Sequence, residues 1–216
     1  MKLSEAELLL NARRRLRSDV SRPRVDAEEG GCGVTGFACS IPVSGKHIFT
    51  PSVQMHNRGN GKGGGIAAVG LEAQRLGVDQ STLEEDFMLQ VALLDETVLP
   101  ELEAAFVRPF FEVHHEAFLE TVDDYRDIPG LEICPPRVKR YFVRVKGDVL
   151  DAFRKEHGLT SLPPEAVEEE FIYQNTFLIN REYYSALGVK RAFVLSHGRN
   201  MMILKIVGYA EQVAQY

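Results

Sequence analysis

Apolar residues recur along this chain at two spacings, and the alternation between them predicts an α+β protein. Leu3, Ala6, Leu9, Leu10 and Leu16 have roughly helical spacing, and Ser4 stands three residues before Glu7, as in a capping box. Cys32 to Ser40 reads as a buried strand, with Cys32, Val34, Gly36 and Ala38 sharing one face by the period of two. Ile41 to Val53 reads as a connection containing part of a helix. Ile66 to Leu71 predicts a second buried strand, and Leu83 to Val91 a strand or the end of a helix. Glu96 to Phe111 is helical in period, with Leu99, Leu102, Phe106 and Phe110 on one side and Pro100 in its first turn.

Asp123 to Pro136 holds Pro129-Gly130 and Pro135-Pro136 and reads as loop. Arg137 to Lys146 alternates basic and apolar residues and predicts a half-exposed strand, with Tyr141, Val143 and Val145 on one face. Asp148 is placed to cap a helix that ends at Gly158, and Pro163-Pro164 opens another. Lys190 to His197 and Met201 to Val207 predict a hairpin around Gly198-Arg199-Asn200, and a last helix begins at Tyr209.

Composition narrows the class. The chain of 216 residues is 44% hydrophobic and 26% charged, enough apolar material for a sizeable core. A net charge of −6 speaks against a general nucleic-acid binder. Three cysteines, Cys32, Cys39 and Cys134, make neither a disulfide framework nor a zinc site, and point to a reducing, cytoplasmic setting. No apolar run has the length of a membrane helix, and no secretory signal is visible. Residues 1–31 stand apart: Arg13-Arg14-Arg15 and Arg17 form a basic cluster, followed by Pro23 and the acidic stretch from Asp26 to Glu29. They read as a pro-segment or N-terminal arm ahead of a domain spanning 32–216.

Several candidate chemistries can be weighed on residues alone. Gly59-x-Gly61-x-x-Gly64 formally matches a dinucleotide fingerprint, but polar His56-Asn57-Arg58 precedes it where a buried strand should end. A P-loop fails because Gly63 follows Lys62. His114-His115-Glu116 lacks a metal-binding spacing and reads as polar surface. Glu165, Glu168, Glu169 and Glu170 suit a helix start and are not read as paired catalytic acids. The basic strand 137–146 has no accompanying RNA-binding motif. No cofactor and no metal are expected.

The remaining candidate is Cys32. Gly30-Gly31-Cys32-Gly33-Val34-x-Gly36-Phe37, followed by His56-Asn57-Arg58-Gly59 and its glycine-rich continuation, resembles the start of class II glutamine amidotransferases, the N-terminal-nucleophile type. The nearest flavour is the amidotransferase domain of archaeal-type glutamate synthase. Asn57 interrupts the family's His-Arg-Gly loop, and Lys205-Ile206-Val207-Gly208 is similar to a Lys-Gly-Val-Gly strand with one glycine replaced. The resemblance implies a partial αββα sandwich with an inserted αβ portion at about 84–170.

It also implies Cys32 as nucleophile, glutamine as substrate, and His56, Arg58, Gly59 and Gly64 in a structural loop near the site. In the family the cysteine is the first residue of the mature chain, because its free α-amine is the base. Here Cys32 is internal, so catalysis requires cleavage after Gly31. The family's Arg-aromatic-Pro-Thr and His-Asn-Gly-Glu segments, which hold the substrate carboxylate and form the oxyanion hole, have no match. The chain therefore reads as the first part of a catalytic module, completed by a partner chain or by a longer gene product for which Tyr216 is no natural end. The alternative is an amidotransferase-derived binding or regulatory subunit with an inert Cys32.

Overall fold

The computed structural model describes residues 3–16, 32–59 and 61–216. Helix α1 (Glu5–Ala12) opens on the expected capping box: Ser4 Oγ accepts from the Glu7 amide, and the Ser4 amide donates to Glu7 at 2.8 Å. Its buried side differs from the expected one. Leu8, Leu9, Ala12 and Leu16 turn inward, while Leu3 and Leu10 are exposed. A short α2 (Phe49–Gln54) leads to strand β1 (Gly64–Val69). Helix α3 (Gln80–Glu85), capped by Asp79 on the Thr82 amide, runs directly into β2 (Phe87–Leu93). Helix α4 (Leu99–Leu102) continues into a π turn over Glu103–Val107 and delivers the chain to β3 (Phe111–Phe118). Then follow β4 (Arg137–Val145), α5 (Gly147–Glu156), α6 (Pro164–Tyr183), β5 (Ala192–Ser196), β6 (Met201–Ile206) and α7 (Ala210–Gln215).

These elements form two antiparallel sheets, so the α+β class holds. The larger has the order β3-β4-β2-β5, and the smaller pairs β1 with β6. The main core lies between the larger sheet and α4 and α6. Leu89, Val91, Tyr141 and Val143 meet Leu102, Ile172 and Ile179 there. Gly147, not Asp148, is the first residue of α5, and Lys146 stands at its cap, so Asp148 lies in the first turn rather than capping it. The portion from 84 to 170 contributes β2, β3 and β4, and β5 from beyond it joins the same sheet.

Two expectations are corrected. Strand β4 is not half-exposed. Its second face, with Arg140 and Phe142, is buried under Ala73, Leu76 and Leu83 of the segment before β2. Strands β5 and β6 are consecutive but form no hairpin. The turn between them spends its hydrogen bonds elsewhere: Gly198 accepts from the Met88 amide at 2.8 Å, and the Asn200 side chain accepts from the Leu71 amide at 2.6 Å. The turn thereby stitches the two sheets together and sends β6 to β1.

Asp86, at the junction of α3 and β2, is fully buried. It accepts from Arg144 Nε at 2.8 Å and pairs with His114 Nδ1 at 2.6 Å. A buried charge that loses a partner is costly, although Arg144 is partly open to water. Arg144→Ala is therefore expected to lower unfolding stability by about 2 kcal/mol, read as a lower urea midpoint. An unchanged midpoint would mean that His114 holds Asp86 unaided.

Candidate functional site

Cys32 begins an extended segment that joins no sheet, which corrects the expectation of a buried strand over 32–40. The alternation of small and apolar residues is present, but a strand needs a ladder partner, and none pairs with it among the described residues. Its side chains meet solvent instead: Cys32 is exposed, and Val34 is 91% exposed. Cys39 and Cys134 are likewise free and exposed. Residue 31 and the bond preceding Cys32 lie outside the described residues, as does Asn60.

At Gly33 the segment meets a close neighbour. A Cβ placed on Gly33 would lie 3.0 Å from the Met55 side chain and 3.2 Å from Arg58. The absence of a side chain at Gly33 thus lets the backbone next to Cys32 settle against the loop that begins at His56. The structure brings together the two stretches that the sequence singled out, Cys32-Gly33 and His56–Gly59.

That loop is built around Tyr209, just ahead of α7. His56 stacks on the Tyr209 ring with centroids 3.7 Å apart, and its Nε2 pairs with Glu211 of α7. The opposite side of the loop closes on the same ring: Gly61, in the left-handed region at φ +69°, has the Tyr209 ring 3.1 Å from where a Cβ would stand. Gly59 faces the ring at 3.7 Å. Gly64 touches the backbone of Tyr209 and Ala210. His56, Gly59 and Gly64 therefore act together as a seat for the start of α7, while Arg58 stays exposed on the Cys32 side. Tyr209 and Glu211 were not singled out by the sequence, since their pairing with His56 spans most of the chain.

A cleft of about 230 Å³ opens beside this seat, lined by Gly61, Gly130, Glu132, Ile133 and Val207–Tyr209. A second cleft of about 340 Å³ lies away from it, between α6 and β5, with Tyr173, Phe177, Asn180, Ser196 and His197 in its wall. Among the described residues no group of three or more His, Cys, Asp and Glu could hold a metal ion. His114 is committed to Asp86, and His115 sits edge-on to the Phe142 ring. No helix of the described residues is long and apolar enough to cross a membrane.

Burial pulls the His197 imidazole below its usual value of 6.5, and burial does the same to His157 with help from Arg15. The unfolded chain then takes up a proton near pH 6.5 that the folded chain resists, so stability is lost as pH falls below that value. The depressed carboxylates Asp79, Asp95 and Asp124 act lower, as pH falls through and below about 3.8. Thermal melts between pH 7 and 5 are therefore expected to show a declining midpoint, and His197→Asn to flatten that decline. An unaltered slope in the variant would remove His197 as its source.

No family model, no curated protein and no solved structure matches this chain.

Proposed function

We propose that this chain is the nucleophile-bearing part of a class II glutamine amidotransferase of the glutamate synthase type, built on a partial N-terminal-nucleophile αββα sandwich. One observation carries the reading. The Cys32-Gly33-Val34-x-Gly36-Phe37 segment and the His56-Asn57-Arg58-Gly59 loop resemble two successive motifs of that family, and Gly33 packs against Met55 and Arg58.

Water adds across the Gly31–Cys32 bond, leaving a Gly31 carboxylate and a Cys32 α-amine. A peptide nitrogen has no basicity, whereas an α-amine titrates near pH 8 and can take the thiol proton. The Cys32 sulfur then attacks the side-chain amide carbon of glutamine. The tetrahedral adduct expels ammonia, which takes its proton from the α-ammonium, and a γ-glutamyl thioester remains. Water hydrolyses the thioester to glutamate and restores the thiol. Gly30-Gly31 puts no side chain ahead of the bond to be cut. The clamp for the glutamine carboxylate and the oxyanion hole, the latter worth about 3 kcal/mol of transition-state stabilisation, come from another chain or segment.

The test is the intact mass of the purified chain, expressed alone and with its genomic neighbour. A species beginning at Cys32 is expected, and it condenses with an aldehyde to a thiazolidine, which an internal cysteine cannot do. Full-length mass in both preparations would overturn the catalytic reading. It would favour a non-catalytic binding or regulatory subunit, the reading to which the peptide-bonded nitrogen of Cys32 already lends weight.

A further inference from the structure

We infer that residues 1–31 stay bound to the rest of the protein after the Gly31–Cys32 bond is cut, so that the processed protein is a two-chain complex of arm and body. The inference rests on the proposed processing for its setting, but the docking that carries it holds for a cut at any bond between residues 17 and 32.

The anchor is at the far end of the arm from the cut. Leu8, Leu9 and Ala12 of α1 are packed into an apolar cluster with Phe153 of α5, Leu159 and Leu162 of the connection after it, and Val167 of α6. Leu16 is buried as well. Apolar burial of this kind is independent of covalent connection to Cys32. Beside the cluster, Arg13 grips Glu170 of α6 through two nitrogens, with Nε to Oε1 at 2.9 Å and Nη2 to Oε2 at 2.7 Å. The Glu170 carboxylate is 2% exposed, and its Oε1 also accepts from Gln174 at 2.9 Å. The Arg13 guanidinium lies 3.9 Å over the Tyr173 ring. Arg15 adds an exposed bridge to Glu156 of α5 at 2.7 Å.

A buried carboxylate with a two-pronged arginine partner is a selective lock, because removal of the arginine strands a charge away from water. Arg13 and Arg15 thus each have a defined partner on the body, Glu170 of α6 and Glu156 of α5, and their role is to hold the arm. A pro-segment joined only by its peptide bond would diffuse away after cleavage. This one is fastened by α1 and the turn after it, and cleavage costs it only the local concentration that the linker supplied.

The experiment uses the full chain with a recognition site for a specific protease inserted between Gly30 and Gly31. After digestion, size exclusion at roughly micromolar protein and mass analysis of the peak report whether the arm travels with the body. The arm is expected to co-elute. With Arg13→Ala or Leu9→Asp in the arm, retention is expected to weaken at least ~10-fold. Both substitutions leave the body's sequence untouched, so a melt of the digested body shows that it is still folded. Separation of the unsubstituted arm from the body, or equal retention of the substituted arms, would overturn the inference. The inserted site makes the result independent of natural processing. A chain never cut at Gly31 would end the proposed function and leave arm retention intact, and a released arm would leave the glutamine chemistry untouched.

Discussion

If the proposed glutamine chemistry holds, ammonia release by the processed protein, assembled with whatever supplies the rest of the site, is expected to fall at least ~1000-fold in Cys32→Ala. Cys39→Ala and Cys134→Ala are expected to leave it unchanged. All three thiols are free and exposed, so access to solvent does not distinguish them. Position in the chain does. Of the three, Cys32 is the one preceded by Gly30-Gly31, which put no side chain ahead of the bond whose cut would give it an α-amine. It is also the one whose neighbouring backbone lies against Met55 and Arg58.

The size of the effect follows from what is removed. Without the sulfur no thioester forms, and hydrolysis must proceed by direct attack of water on an amide. A thousandfold loss is a barrier increase of about 4 kcal/mol, which is modest for a covalent nucleophile. The measurement is a coupled ammonia assay on the three variants, with each melt recorded to show that folding is unaffected. Equal loss in all three variants, or none in Cys32→Ala, would remove Cys32 from the chemistry and with it the family reading.

How far the sequence reached depends on how local each feature is. The capping box at Ser4 and the proline-opened helix α6 are set by neighbours within a turn or two, and they stand as expected, while the helical run from Glu96 ends at Val107 and Phe111 already belongs to β3. The hairpin around Gly198–Asn200 failed because a glycine-containing turn between two apolar runs says nothing about competing acceptors. The Met88 and Leu71 amides, distant in sequence, claim that turn's hydrogen-bonding groups. The burial of Arg140 and Phe142 was equally hidden, since alternation marks one face as apolar but not what covers the other. Around the candidate site, the glycine-rich loop was legible as a loop. Its purpose was not, because the ring that the glycines accommodate is Tyr209, and the acid that fixes His56 is Glu211. Nothing in the spacing of either residue marks it out.

Gly64→Ala is expected to be among the most damaging single-methyl additions in the chain, because the space at this position is filled by backbone. A Cβ at Gly64 would stand 2.4 Å from the Tyr209 carbonyl carbon, 2.6 Å from the Ala210 nitrogen and 2.8 Å from the Gly208 oxygen. No side-chain rotation relieves such contacts. The start of α7 must move off β1, and it carries the His56 stack and the Glu211 pair with it. Gln212, which donates to the Pro129 carbonyl at 2.9 Å, would be dragged along, loosening the 130s loop and the cleft beside it. Overpacking against immovable atoms costs about 3 kcal/mol or more, and for a chain of this size that is a fall of roughly 6–12 °C in Tm. Gly63→Ala is the matched control. It adds the same methyl one residue earlier, where nothing lies within 4 Å, and is expected to change Tm little. Paired thermal melts decide the matter. Similar midpoints for the two variants would mean that α7 is not seated on β1 as described, and that the loop from His56 to Gly64 is not held by Tyr209.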